Sequence, residues 1–132
     1  MKLYRLFATT SMALLLGACG ATPSCDAGDT LNLLGEIVEE TFQKSLYGQA
    51  LRPQAEFRFR NIRMLRHRTD TDTYHCSASL EISVDGIKPV VQELEYEVYP
   101  VTDEDGDFAV NYDERDFIMA ISDAALRKSL HR

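Results

Sequence analysis

The sequence contains none of the short motifs that identify common catalytic sites. It has no G-x-S-x-G elbow, no H-E-x-x-H zinc motif, no P-loop and no dinucleotide-binding glycine pattern. Its histidines are scattered at His67, His75 and His131, and none has a nucleophile at a useful spacing. These absences favour a non-enzymatic protein that uses no cofactor.

Cysteines are too few and too widely spaced for a typical zinc site. The chain has three of them and no C-x-x-C pair, the spacing common in structural zinc sites. His75, next to Cys76, would point to the opposite face of a strand, because successive side chains alternate. We therefore predict no metal site formed by these residues.

One acidic run invites a calcium interpretation, since hard cations bind clustered carboxylates. It comprises Asp103-Glu104-Asp105-Gly106-Asp107. The run lacks the distal bidentate glutamate of an EF-hand loop. We expect a solvated hairpin loop, with weak calcium binding as the alternative.

Basic residues are also too few for a nucleic-acid-binding protein. Lys and Arg number 14 against 21 Asp and Glu, which gives a formal net charge of −7, whereas nucleic-acid binding relies on neutralising phosphates. The acidity is typical of a soluble, self-repelling surface, which is the interpretation we prefer. The alternative is an acidic face that attracts a basic partner and speeds association.

The longest apolar run is too short to span a membrane, which takes ~20 residues. Lys2 and Arg5 precede this run, which ends in Gly17, Ala18 and Cys19. Charge, apolar core and small residues in this order are typical of a secretory signal peptide. Removal of residues 1–18 would leave 114 residues, enough for one domain, and would take the formal charge from −7 to −9.

Leu16-Gly17-Ala18-Cys19 resembles the lipobox of bacterial lipoproteins. The resemblance covers residues 1–19. It implies that Cys19 receives a diacylglycerol, that the signal is cut just before it, and that the new amine is usually acylated too. Two or more acyl chains suffice for stable anchoring. The implied location is the periplasm-facing surface of the envelope, and Gly20 in place of Asp favours the outer membrane over the inner one.

An ordinary signal that happens to end near a cysteine is the alternative to the lipobox. If Cys19 instead carries lipid, Cys25 and Cys76 remain as an even pair in an oxidising compartment. We predict a disulfide between them, closing a loop of about 52 residues and contributing on the order of 4 kcal/mol. Two free buried thiols are the other possibility.

Residues 19–28 are predicted to form an acylated tether, since they are small, polar and turn-forming. Six residue steps separate Cys19 from Cys25, at most ~20 Å of extended chain. We therefore expect the domain to be held close to the membrane.

Residues 29–132 are expected to form one α+β domain that begins with an amphipathic helix. Asp29 is its expected N-cap and Gly48 its expected end. Between them, apolar residues recur at helical spacing, with acidic residues on the other side: Leu31, Leu34, Val38, Phe42 and Leu46.

A curled antiparallel sheet of about four strands is expected next. Residues 56–68 alternate apolar and basic residues, and a bulge near Arg60-Asn61 would keep all the large apolar residues inward: Phe57, Phe59, Ile62 and Met64. Residues 74–84 show the clearest strand pattern, and the Asp85-Gly86 pair that follows indicates a hairpin turn.

The remaining elements follow a third strand around residues 91–98. A second turn at Asp105-Gly106 leads to a short fourth strand over residues 108–112. Asp113 is predicted to cap a C-terminal helix with Phe117, Ile121 and Ala124 on its inner side and Ala125 and Leu126 as further candidates for that side. This element order resembles the cystatin-like fold. Such folds include binding modules, inhibitors and enzymes, so the resemblance selects no function.

Charge is segregated along the predicted sheet. Residues 52–68 contain six arginines and only Glu56 as an acid, whereas residues 93–116 contain ten carboxylates and only Arg115. One interpretation, which we favour, pairs Arg58 and Arg60 with glutamates on a neighbouring strand, at ~0.2–1 kcal/mol per pair. The other leaves two faces of opposite charge, free for a partner or for anionic lipid headgroups.

We therefore expect a small membrane-anchored protein with a binding role. It would be an accessory protein of an envelope assembly, or an inhibitor or immunity protein, with an envelope or secreted protein as partner. The expected contact residues lie on the polar sheet face or in the acidic loop: His75, Glu93, Glu95, Glu97, Tyr99, Asp103, Glu104 and Asp105.

The alternative function is a periplasmic small-ligand-binding protein or a degenerate enzyme. Its pocket would lie between the first helix and the sheet, near Phe42, Tyr96 and Tyr112.

Overall fold

The computed structural model describes residues 21–101 and 107–131. The predictions for the lipobox with Cys19, and for Asp103, Glu104 and Asp105, lie outside the described residues. Within these ranges the chain forms three α-helices and a four-stranded antiparallel sheet. The predicted α+β class is confirmed, and the sheet is open rather than closed into a barrel.

Two helices precede the sheet and one follows it. The sheet is a simple meander in which each strand pairs with the next one along the chain, so β1 and β4 are the edge strands. The elements are α1 (Gly28–Gln43), α2 (Leu46–Leu51), a 3₁₀ turn (Arg52–Gln54), β1 (Ala55–Arg68), β2 (Thr73–Val84), β3 (Val90–Pro100), β4 (Phe108–Tyr112) and α3 (Glu114–Leu130).

A single core lies between the helices and one face of the sheet. Alternate residues of β2 and β3 point into it and meet the apolar sides of α1 and α3. The largest fully buried side chains are Tyr96, Phe42, Phe117, Leu34, Leu80 and Ile82. The other sheet face carries polar and charged side chains, and we call it the open face.

The first helix differs from its prediction at both ends. Ala27 is the N-cap and makes no side-chain capping bond. The Asp29 cap is therefore wrong, and Asp29 lies in the first turn, where a negative charge favours the helix dipole. The helix ends at Gln43, and Gly48 is a residue of α2. Leu46 is 81% exposed rather than part of the apolar side.

The predicted irregularity in β1 is confirmed, since the register with β2 shifts between Arg60 and Arg63. Asn61 there has φ 52°. The three residues Phe57, Phe59 and Ile62 pack against the core. Met64 does not, and the prediction that it points inward is wrong. It lies opposite Cys76 on the edge strand, level with the beginning of α1, and is 57% exposed.

The C-terminal half follows its predictions closely. Gly86 has φ 85°, as the predicted hairpin at Asp85-Gly86 requires. The side chain of Asp113 accepts a hydrogen bond from the backbone N–H of Arg115 at the beginning of α3. Of the predicted inner residues of that helix, Phe117, Ile121 and Ala124 are buried, whereas Leu126 is 59% exposed and does not belong to the inner side. In the two described ranges, no helix has the length and apolar character needed to cross a membrane.

Candidate functional site

The predicted partner-binding residues of the described ranges lie on the open face. His75 pairs with Glu97 across β2 and β3, and His75 Nε2 lies 3.9 Å from Glu95 Oε2. The Glu95 side chain is 71% exposed. Glu93 lies further along β3 and accepts a hydrogen bond of 2.7 Å from the Ser79 hydroxyl. Tyr99 is 38% exposed at the far end of the strand.

A groove of about 470 Å³ lies between this acidic part of β3 and the beginning of α3. Asp113 and Arg115 form an ion pair of 2.9 Å at its α3 side, and Arg115 holds the pKa of the Asp113 carboxyl below its usual range. Burial, followed by the charge of Asp113, raises the pKa of neighbouring Asp116. The groove brings together residues distant in sequence: His75, Glu95, Glu97, Asn111, Asp113 and Arg115. Its polar lining suits a partner with cationic or hydrogen-bonding groups.

The middle of the open face holds a charge cluster that sequence reasoning did not name. Glu81 on β2 accepts hydrogen bonds from Arg58 Nε at 2.9 Å and from Arg60 Nη1 at 3.1 Å. The bond from Arg58 is the main cause of the lowered pKa of Glu81. The prediction that these two arginines pair with glutamate on a neighbouring strand is confirmed, but the partner is Glu81 and not a residue of the acidic segment 93–116. The hairpin register would have indicated this partner from the sequence, since Glu81 is directly opposite Arg58.

Three other arginines of β1 remain exposed towards the tip of the β1–β2 hairpin. Arg63, Arg66 and Arg68 form no ion pair with any residue of the described ranges. Leu65 beside them is 51% exposed. A second register shift, between Met64 and Arg66, accompanies this apolar exposure. Charge segregation therefore persists at this end of β1.

The predicted disulfide is confirmed, and it attaches the segment before α1 to the sheet. Cys25 and Cys76 are joined with an S–S distance of 2.07 Å. Both residues are buried in the core. The Tyr96 hydroxyl donates a 2.9 Å hydrogen bond to the carbonyl of Cys25, and burial raises the pKa of that tyrosine to about 12. The segment around Cys25 is thus attached to two neighbouring strands, through Cys76 of β2 and Tyr96 of β3.

A second attachment, which we call the Asp72 clamp, holds the chain further upstream. The backbone N–H of Thr22 donates to Asp72 Oδ2 at 2.9 Å, and His67 Nε2 lies 2.8 Å from Asp72 Oδ1. The ring of His67 also stacks on Tyr74 with centroids 4.0 Å apart. The bond to Thr22, followed by that to His67, lowers the pKa of Asp72. Part of the predicted tether is therefore bound to the domain.

Two of the side chains suggested for a helix–sheet pocket belong to the core, and the open depression between α1 and Phe57 of β1 is lined mainly by polar residues. Phe42 is 0% and Tyr96 is 2% exposed, so both belong to the core. Tyr112 packs edge-on against Phe117, with centroids 5.3 Å apart, and lines the polar groove instead. Among the described residues, no three His, Cys, Asp or Glu side chains are arranged to hold a metal ion. The carboxylates of 103–105 lie outside that part.

Comparison with known proteins identified no relative of this chain. No protein-family model, no curated protein and no solved structure matches the chain.

Proposed function

We propose that the chain is a lipid-anchored protein of the bacterial envelope whose folded domain binds a protein partner without catalysing a reaction. The anchor is the lipid on Cys19, and the domain faces the periplasm, at the outer membrane in preference to the inner one. The partner is an envelope or secreted protein, and the role is that of an accessory, inhibitor or immunity protein.

The cysteine inventory supports the anchor. Two of the three cysteines are joined to each other in the core, which leaves Cys19 as the odd thiol within the lipobox-like sequence. Once Cys19 carries lipid it cannot form a disulfide, so Cys25 and Cys76 can pair only with each other. Labelling of growing cells with a palmitate analogue tests this, with Cys19→Ala as the control. We expect label on the wild-type protein and none on the variant.

The open face is the observation that carries the binding role. Glu95 and Glu97 lie on a rigid central strand, and neither side chain makes an ion pair shorter than 3.9 Å within the described ranges. Unlike Glu81, they have no arginine partner within the described ranges. Exposed charges on a rigid strand steer an oppositely charged partner and fix its orientation. The partner is accordingly expected to present Lys and Arg to the groove.

Site-specific photocrosslinking tests this surface. A photoreactive residue at Glu95 should yield a discrete crosslinked species in cells, whereas the same residue at Glu36, exposed on α1, should yield none. Glu95→Lys combined with Glu97→Lys should abolish the species formed from a photoreactive residue at Asn111, which also lines the groove. Equal crosslinking from Glu36 and Glu95, or none from either, would count against a partner on the open face.

A small-ligand carrier is less well supported. The apolar side chains that would have lined its pocket fill the core instead, whereas small-molecule sites are usually apolar cavities with a few polar groups. Ligand-induced thermal stabilisation discriminates the two functions, because a ligand that binds only the folded state raises the melting temperature. We expect no shift with small periplasmic metabolites and a shift with the protein partner.

A further inference from the structure

We propose that the tip of the β1–β2 hairpin docks on the lipid headgroups of the membrane that holds the anchor. The docking surface consists of Arg63, Met64, Leu65, Arg66 and Arg68. The inference rests on the proposed lipid at Cys19, and it adds a defined orientation of the domain on an anionic phospholipid surface.

The length of free chain brings this surface to the membrane. The first described contact of the N-terminal segment is the bond from Thr22 to Asp72. Only three residue steps separate Thr22 from Cys19, which span at most ~10 Å when extended. Arg68 pairs with Thr73, the residue next to Asp72. The point where the anchor leaves the domain is therefore the same hairpin tip that carries the exposed arginines.

The chemistry of the surface fits lipid headgroups. Guanidinium groups bind phosphate oxygens with paired hydrogen bonds, and the three arginines have no acidic partner within the described ranges. Met64 is 57% and Leu65 is 51% exposed, at a register shift that interrupts the regular alternation of β1. Exposed aliphatic side chains flanked by arginine are typical of interfacial membrane contacts.

Acidic residues border this contact in the hairpin turn and on β3. Asp72 is occupied by Thr22 and His67, which leaves Asp70 as the exposed acid of the turn. On the open face, Arg63 and Arg66 pair with Ser77 and His75 of β2, which pair in turn with Glu95 and Glu97 of β3, and Glu93 lines the same depression as Arg63. An anionic surface that attracts the arginines of the edge strand repels these carboxylates. Docking therefore tilts the molecule onto the β1 edge. The groove at Glu95 and Glu97 stays accessible from the periplasm.

A single tryptophan can report this contact, because the chain contains none. We would place it at the surface as Leu65→Trp and, as a matched control, as Leu46→Trp. Leu46 is 81% exposed and belongs to α2, which leads into the opposite end of β1. Each full-length acylated protein is reconstituted into phosphatidylcholine vesicles with and without phosphatidylglycerol, and quenching by brominated acyl chains is measured.

We expect strong quenching for Leu65→Trp and little for Leu46→Trp, with phosphatidylglycerol increasing the difference. Adding Arg63→Gln, Arg66→Gln and Arg68→Gln to Leu65→Trp should reduce docking by about a hundredfold, since each basic residue near an anionic surface contributes on the order of fivefold. High salt should have a similar effect on the unsubstituted surface.

The outcomes separate this inference from the proposed anchor. Equal quenching of the two tryptophans, or none, in protein that is acylated and floats with the vesicles would overturn the docking surface and leave the anchor standing. Loss of flotation together with an unmodified Cys19 would overturn the anchor and the docking with it. Quenching of Leu65→Trp that is indifferent to the three arginine substitutions would overturn the role of the arginines.

Discussion

At the scale of single residues, Asp72 combines an unusual backbone conformation with two side-chain contacts. Its φ of 50° lies in the left-handed region, which Asp tolerates better than most residues with a Cβ. Its two carboxylate oxygens contact different groups, the Thr22 backbone and the His67 ring. The sequence places Asp72 only in a polar loop, because its partner Thr22 is 50 residues away.

Asp72→Ala should therefore destabilise the domain. It removes two hydrogen bonds that involve a charged group and puts a less tolerant residue at positive φ, so we expect the free energy of unfolding to fall by about 2 kcal/mol. Asp72→Asn, which tolerates the backbone and keeps one acceptor, should cost about half as much. Urea titration measures both. Asp70→Ala, at an exposed neighbour, is the control, and an equal effect there would contradict the clamp.

Gly48 illustrates a glycine required by close approach rather than by backbone freedom. A Cβ at this position would lie 2.3 Å from the carbonyl oxygen of Phe42, because α2 folds back against the end of α1. Gly48→Ala should lower the free energy of unfolding by about 1–3 kcal/mol. Gly28→Ala is the matched control, since nothing lies within 4 Å of its Cβ. Equal melting temperatures for the two variants would argue against the contact.

At the scale of elements, the side chains that β1 buries and exposes are set by two shifts in its register with β2. The first was predictable because the apolar residues change parity around Asn61, where the backbone turns to φ 52°. The second was not. His67 lies on the inner face, where its ring stacks on Tyr74. Because histidine is polar, the sequence contains no apolar residue here that would reveal a second change of parity. The unpredicted shift is the one that exposes Leu65 at the hairpin tip.

The link between the beginning of α1 and β2 is covalent, and its removal should have a large effect. The disulfide joins residues 51 positions apart, and a loop of this size corresponds to about 4 kcal/mol of stabilisation. We expect Cys25→Ala with Cys76→Ala to shift the urea midpoint of unfolding by that free energy. A reducing agent should lower the wild-type midpoint and leave the double variant unchanged. A wild-type midpoint that ignores reduction would contradict this assignment.

At the scale of the whole molecule, hydrogen-bonded carboxyl groups distributed over the described part set the response to acid. Four carboxyl groups have a lowered pKa, each mainly through one hydrogen bond: Glu39 with Arg52, Asp72 with Thr22, Glu81 with Arg58, and Asp113 with Arg115. Asp116 opposes them, since burial raises its pKa. The lowered values outnumber the raised one.

A carboxyl group with a depressed pKa in the folded state stabilises the fold above its unfolded pKa, and this contribution is lost as the pH falls through the folded value. The unfolded values are 4.5 for Glu and 3.8 for Asp. We therefore expect the free energy of unfolding to be flat near neutral pH and to decrease below about pH 4.5. Glu81→Gln should make the acid dependence shallower. Denaturant titration across this pH range measures it, and stability that rises on acidification would contradict the prediction.

The sequence by itself determined the fold class, the order of the strands, the capping of α3 and the disulfide. These features follow from periodicity, turn residues and an even count of cysteines, all of which are local or arithmetic signals. The tertiary structure alone decided the Asp72 clamp and the groove between β3 and α3. Each of these depends on groups that are distant in sequence and brought together by packing, which no local pattern encodes.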